Sequence, residues 1–267
     1  MAGRRTLCCL TGLLLAGCVT AADSETTTEV TAHPNVPIRW EWQLQAPISI
    51  PEHTIVADLD PDEVSAGEVA ALVARGIWPI AYVSVGTWED WRGDADAFPE
   101  AVLGRAYDGW EGERFLDIRD QATLLPIMRA RFARAKAMGF TAIEPDNIDL
   151  HINDTGFGLT PTDVTAYVTA LAEMAHGMGL QIGQKNAPEL VPALVDRMDF
   201  IVTEDCFADG WCDATQPYFA ARKPILAAEY TDTGVDWTAA CAWARQAGAL
   251  MILAPRDLDG PARAHCF

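Results

Sequence analysis

Basic side chains are scarce in this sequence: 19 Lys and Arg stand against 38 Asp and Glu, giving a formal charge of −19 and a pI near 4.5. So acidic a chain repels phosphate backbones, which makes nucleic acid and anionic lipid poor partners. Metal signals are also lacking. There is no HExxH, the five histidines are dispersed, and no close CxxC or nearby His completes a tetrahedral site. Neither a metal nor a cofactor is expected. The run Asp58-Leu59-Asp60-Pro61-Asp62 opens like a calcium loop, but Glu63 and Val69 stand where that motif needs Gly and Glu. Gly156-Phe157-Gly158 begins a dinucleotide fingerprint that Pro161 breaks, and Ser84 lacks the flanking glycines of a nucleophile elbow. What remains is an ordinary globular composition, 50% hydrophobic and 21% charged over 267 residues. It excludes disorder and bare coiled coil and fits one large α/β barrel or two small domains.

Long apolar runs are missing as well. The longest N-terminal one, Leu7 to Ala16, falls short of the roughly 20 residues a bilayer span needs. With Arg4 and Arg5 before it and Gly17 after it, residues 1–17 read as a secretory signal. Leu15-Ala16-Gly17-Cys18 resembles a bacterial lipobox, which implies cleavage before Cys18 and lipidation of its thiol. An ordinary cleaved signal with an incidental cysteine is the alternative. Loss of the two arginines would take the balance from −19 to −21. Residues 18–36 are polar, Thr-rich and aperiodic, a tether between membrane and domain. The expected product is exported, held at a bacterial membrane through Cys18, and monomeric.

Cys8 and Cys9 leave with the signal, so Cys206, Cys212, Cys241 and Cys266 remain for an oxidising compartment. Cys206–Cys212 would pin a short loop and Cys241–Cys266 would fasten the C-terminus. Four cysteines allow three pairings, and spacing alone does not choose among them.

From residue 37 to 267 the chain reads as one domain in which short apolar runs alternate with helical patterns. Expected strands are Arg39–Gln43, Thr54–Leu59, Ile80–Val85, Ala142–Pro145, Gln181–Gln184, Phe200–Thr203, Ile225–Glu229 and Leu250–Ala254. Continuous runs such as IAYVSV and ILAA suit strands covered on both faces. Ser65 to Glu68 is a capping box, Thr160-Pro161 a cap with a proline at the first helical position, and residues 122–138 and 237–246 are amphipathic. Eight βα units make a single (β/α)8 TIM-type barrel the expected fold. An open doubly wound sheet is the alternative, without the Gly-rich loop it usually carries.

Such barrels place their chemistry where strands end. Those ends here carry Asp58 and Asp60; Ser84, Gly86 and Glu89; Asp146, Asn147 and Asp149; Lys185 and Asn186; Glu204 and Asp205; Glu229 and Tyr230; and Arg256. One strand-end acid commonly caps a helix or pairs with Arg, but nearly every strand here stops in a carboxylate or amide. Glu144 and Asp146 are two residues apart, so both can point into the barrel mouth. An acid there and Glu204 two strands away can flank one glycosidic bond. Lys185 between them can hold a carboxylate ionised. A Schiff-base role for Lys185 needs a depressed pKa that so acidic a site opposes. Tyr82, Trp88, Trp91, Trp110, Trp211 and Tyr230 are candidates to stack on sugar rings.

These stretches resemble the endo-α-1,4-polygalactosaminidase glycoside hydrolases. The resemblance runs through Tyr82-Val-Ser84-Val-Gly86 with Glu89 and Trp91-Arg92-Gly-Asp94, Leu116-Asp117-Ile, and Glu144-Pro-Asp146-Asn147-Ile-Asp149. It continues through Asn153 to Thr160, Gln184-Lys185-Asn186-Ala, Glu204-Asp205-Cys206-Phe207 with Cys212, and Glu229-Tyr230, covering about residues 38 to 267. It implies a TIM-barrel hydrolase acting within α-1,4-linked galactosamine chains, with Asp146 as nucleophile and Glu204 as general acid/base. One departure is Asp205, where many members carry Glu; it points away from Glu204 and leaves that residue in place. Substrate contacts are expected at Asp58, Asp60, Tyr82, Glu89, Asp117, Asn147, Asp149, Lys185, Asn186, Trp211, Glu229 and Tyr230. The expected partner is a cationic amino-sugar polysaccharide. The alternatives are a non-catalytic glycan-binding lipoprotein and a hydrolase of an N-acetylated or neutral polymer.

Overall fold

The computed structural model describes residues 39–266, so the expected signal, Cys18 and tether lie outside the described residues. Twelve strands and six helices follow one another within them. They are β1 (Arg39–Gln43), β2 (Thr54–Leu59), α1 (Ala66–Ala74), β3 (Trp78–Ser84), β4 (Thr87–Glu89), β5 (Leu103–Ala106), β6 (Glu113–Leu116), α2 (Gln121–Met138) and β7 (Ala142–Asp146). Next come α3 (Pro161–Gly177), β8 (Gln181–Lys185), α4 (Val191–Leu194), β9 (Phe200–Glu204), α5 (Gln216–Ala220), β10 (Ile225–Tyr230), α6 (Trp237–Ala247), β11 (Leu250–Ala254) and β12 (Ala264–His265).

The large sheet runs β1-β2-β3-β7-β8-β9-β10-β11-β12, parallel except for the β11–β12 pair. Its eight parallel strands are the eight expected ones, and β1 returns to lie against β11. The chain is therefore an α/β barrel of the TIM type. The seam is sealed by side chains and the C-terminus: Leu44 N donates to Leu258 O at 2.9 Å, and buried Glu41 of β1 accepts from Ala262 N at 2.9 Å. His265 of β12 reaches the other Glu41 oxygen at 2.9 Å.

Strand alternation divides the core in two. Trp40, Trp42, Val56, Ile80, Ala142, Phe200, Val202, Leu226, Ala228, Tyr230, Ile252 and Ala254 fill the barrel interior. Their sequence neighbours Ala57, Leu59, Ala81, Val83, Ile143, Ile182, Ile201, Ala227 and Met251 face the helices. Space inside is tight: a Cβ on Gly183 would stand 2.4 Å from the Phe200 ring. Local signals set the helix ends. Ser65 and Glu68 cap α1 reciprocally, and Thr160 with Asp163 does the same for α3 behind Pro161. Gly139 and Gly248 stop α2 and α6 in the left-handed conformation.

The strict eightfold alternation does not hold. No helix joins β1 to β2, and α4 and α5 have only 4 and 5 residues. Between β3 and α2 lies a separate antiparallel sheet of order β4-β6-β5. It projects over the C-terminal mouth of the barrel.

Both expected disulfides are present, Cys206–Cys212 and Cys241–Cys266. The second ties α6 to the residue just after the seam-closing strand β12, across a separation of 25 residues. A loop of that size is worth about 3 kcal/mol through the unfolded chain. The Cys241→Ser/Cys266→Ser double variant is expected to lose roughly 2–4 kcal/mol of unfolding free energy in urea. A midpoint equal to that of the parent would show that the closure does not depend on this bond.

Candidate active site

At the C-terminal mouth a cleft of about 310 Å³ is lined by Trp42, Tyr82, Asp146, Asn147, Asp149, Lys185, Asn186, Glu204 and Tyr230, with Tyr107, Trp110 and Glu113 from the inserted sheet. Trp42, Tyr82, Asp146, Lys185, Glu204 and Tyr230 come from six different strands, and each occupies an inward-facing position. A conformational device repeats at three neighbouring strand ends. Asn147, Asn186 and Asp205, the residues immediately after Asp146, Lys185 and Glu204, have φ of 61°, 44° and 49°. Asn and Asp tolerate this left-handed region better than other residues with a Cβ, at about 1 kcal/mol each. The kink ends each strand just after its functional side chain. Gly86 has a related role, because a Cβ there would lie 1.7 Å from the Asn147 carbonyl oxygen.

Lys185 is the hub. Its Nζ lies 2.7 Å from Asp146 Oδ1, 2.9 Å from Glu144 Oε1 and 3.2 Å from Glu204 Oε2, with the Trp42 ring centroid 4.6 Å away. Burial works against its charge, yet Asp146, Glu144 and Glu204 hold the ammonium well above the ordinary lysine range. Asp146 also accepts from Tyr82 OH at 2.7 Å. Burial opposes ionisation of Asp146, but Lys185 and the Tyr82 donor outweigh it and keep its carboxyl below the usual value. Glu204 accepts from Asn186 Nδ2 at 2.8 Å and from Tyr230 OH at its other oxygen. Asn186 Oδ1 in turn receives Glu204 N–H at 2.8 Å, so that amide fixes backbone and side chain together.

The pair Asp146 and Glu204 therefore share one cation while each keeps a phenol donor of its own. Asp205 turns outward, accepting from Tyr230 N at 3.0 Å and from Arg256 at 3.1 Å, while Arg256 lies 4.2 Å over the Tyr230 ring. Two cleft carboxyls have no salt-bridge partner among the described residues. Glu113 takes Thr87 Oγ1 on one oxygen at 2.8 Å, and burial raises its carboxyl to about 7. Asp149 is raised by burial and by the charge of Asp146.

Residues 20–266 match the sequence profile of glycoside-hydrolase family GH114. The chain belongs to that family. This GH114 protein is accordingly a glycosidase. Its chain is similar to Ega3 of Aspergillus fumigatus, solved in complex with galactosamine, at 30% identity and TM-score 0.79, covering 87% of this chain and 96% of that one. The glycoside hydrolase domain of PelA from Pseudomonas aeruginosa shares the fold at 16% identity and TM-score 0.66, covering 85% and 97%. A Deinococcus radiodurans protein is 28% identical over 244 residues, 81% of this chain and 77% of its own.

Within the GH114 barrel, eight of the residues expected at the site line the cleft: Tyr82, Asp146, Asn147, Asp149, Lys185, Asn186, Glu204 and Tyr230. Six others lie elsewhere. Asp60 and Glu89 clamp Arg92, each within 2.8 Å, beside a separate cavity of about 450 Å³ that α2 lines with Arg131 and Arg134. Asp117 pairs with Arg119 at 2.7 Å. Glu229 accepts from Phe207 N and Ala208 N at 2.7 and 3.0 Å and so shapes the loop after β9. Trp211 packs against the outer core, and Asp58 is buried beneath the cleft. Trp42, Tyr107 and Glu113 line the cleft as well, beyond the residues expected there. Trp42 is two residues from Trp40 on the first strand, an inward pattern that was legible; Tyr107 and Glu113 belong to the inserted sheet, which no strand-end rule reveals.

Lys185→Met tests the hub directly. Removing the positive charge disfavours the ionised form of Asp146, so its titration midpoint is expected to rise by at least about one unit. Carboxyl 13C NMR titration reads this without any activity assay. An unmoved midpoint would show that Lys185 does not hold Asp146 ionised.

Proposed function

We propose that the protein is an endo-acting glycosidase that cleaves α-1,4-linked galactosamine polymers, with Asp146 and Glu204 as the reacting carboxylates. The observation that carries this is their shared contact with Lys185 Nζ. Contacts of 2.7 and 3.2 Å place the two oxygens within 5.9 Å of each other. Retaining glycosidases hold their carboxyls about 5–5.5 Å apart, whereas inverting ones leave about 6.5–9.5 Å for a water. The spacing supports double displacement. Asp146 attacks the anomeric carbon as protonated Glu204 gives its proton to the leaving oxygen, leaving a glycosyl ester on Asp146. Glu204, now ionised, takes a proton from the water that hydrolyses the ester. Lys185, Tyr82 and Tyr230 keep both acids oriented through the two steps.

The amino-sugar reading draws on the galactosamine in the Ega3 structure and on the acids of the cleft wall. Asp146→Asn and Glu204→Gln are each expected to lower kcat on de-N-acetylated α-1,4-galactosamine polymer by at least about 100-fold. Activity equal to the parent in either variant would remove that residue from the chemistry. The parent is expected to release short oligomers from this polymer faster than from its fully acetylated form or from chitosan. Equal cleavage of the acetylated polymer would overturn the cationic-substrate reading.

The same proposal includes export of the chain and its anchoring through a lipidated Cys18. Among the described residues, no helix is long and apolar enough to cross a membrane. In a bacterial host, labelled palmitate is expected to enter the parent and not Cys18→Ala. Equal labelling of the two would exclude that anchor.

A further inference from the structure

Asp58 and Glu144 are the most enclosed acids near the site and take no part in the chemistry above. Both are 0% exposed, on β2 and β7, at inward-facing positions below Asp146. No N–H or O–H of the described residues hydrogen-bonds either oxygen of Asp58 or of Glu144, and Glu144 meets Lys185 as an ion pair at 2.9 Å. The Asp58 carboxyl instead lies within hydrogen-bonding reach of Glu144. Two carboxyl oxygens make such a contact favourable only with a proton between them. The charged groups facing the pair are Lys185 from β8 and Asp146 from β7, with Glu204 of β9 on the far side of the ammonium and the phenols of Tyr82 and Tyr230 beyond.

We propose that Asp58 and Glu144 are positioning residues: they share one proton beneath the cleft, and the single charge left on Glu144 fixes Lys185 Nζ between Asp146 and Glu204. The inference rests on the reading of Asp146 and Glu204 as the reacting pair. An ammonium has three N–H donors, and three carboxylates lie within 3.2 Å of this one. Glu144 is the member of that trio that the substrate does not reach, so it alone can hold Nζ steady while the other two change charge. A lysine stem is flexible, and without this anchor the ammonium is free to settle on one reacting acid. Were Asp58 and Glu144 both ionised, their combined charge would draw the ammonium down and away from the cleft. One proton is the state that balances the hub.

The test uses the full-length protein. Asp58→Asn keeps the shape and offers Glu144 an N–H; Asp58→Leu fills the space and removes the donor. On de-N-acetylated galactosamine polymer, Asp58→Asn is expected to retain kcat within about threefold and Asp58→Leu to lose at least about tenfold, with both KM values within about twofold of the parent. Parental kcat in Asp58→Leu, or loss appearing chiefly in KM, would overturn the proposal. The ammonium itself gives a second readout, a slowly exchanging 15N resonance from Lys185. It is expected in the parent and in Asp58→Asn, which keep the charge on Glu144, and absent from Glu144→Gln and Glu144→Leu. If the parent fails to cleave the polymer, the functional reading falls while this resonance still decides the anchoring, and its persistence in Glu144→Leu would refute it.

Discussion

A single ammonium inside the barrel mouth holds the candidate site together. Burying a charge is costly, and breaking a buried ion pair by removing one partner typically costs about 3–5 kcal/mol. Lys185 faces Asp146, Glu144 and Glu204 at once, so its removal would leave several carboxylates mutually repelling in a confined space. The arrangement is self-limiting in the other direction too: one cation cannot balance Asp58, Glu144, Asp146 and Glu204 together, so part of the cluster must stay protonated. Burial and the neighbouring Glu144 select Asp58, whose carboxyl is pushed well above the usual range. Charge at the mouth is thereby divided between an ionised Asp146 above and a proton-holding pair, Asp58 and Glu144, below.

Strand periodicity makes that division possible. Positions two apart on one strand share a face, so Glu144 and Asp146 stack as lower and upper members of the same inward column. The interior packs aromatic and aliphatic side chains below, including Trp40, Phe200 and Leu226. The left-handed residues Asn147, Asn186 and Asp205 then turn the chain away before another inward side chain can crowd the opening. Backbone strain at these positions is repaid locally. Asn147 Nδ2 donates to Ser84 Oγ and Thr87 Oγ1, Asn186 clamps Glu204, and Asp205 takes Tyr230 N–H and Arg256. Amide and carboxyl side chains thus serve twice, as tolerant backbone hinges and as brackets for the functional groups.

The barrel was legible because continuous apolar runs in eight short segments have few other homes, and those segments are the eight parallel strands. Asp146, Lys185 and Glu204 were legible for a related reason, as polar residues that terminate apolar runs. What sequence did not separate was the fate of acids near those ends. Asp58 and Asp60 sit two apart on the same chain segment, yet Asp58 is sealed against Glu144 while Asp60 binds Arg92, a residue whose approach depends on the turn after β4. Glu89 follows the same arginine. The inserted sheet was unreadable from the strand-end rule for a similar reason: its strands have only 3 or 4 residues, too short for a periodicity to register. Tertiary partners, and not local pattern, decided each of these cases.

The scarcity of cations has its sharpest consequence inside the cleft. Both basic groups there are committed, Lys185 to the carboxylate cluster and Arg256 to Asp205 and Asp232 at 3.1 and 2.8 Å. Glu113 and Asp149 face the opening without a cation of their own, and burial has already raised both. For the proposed cationic sugar this wall is more selective than an exposed acidic surface, where water and salt screen the attraction. An ammonium entering between half-buried carboxyls favours their ionised forms, so its binding is coupled to proton release, Glu113 with its carboxyl raised to about 7 included. A neutral or N-acetylated sugar offers no such compensation and would bury those carboxyls further without a cation to balance them. Discrimination in this cleft therefore arises as much from what the wrong ligand leaves unmet as from what the right one gains.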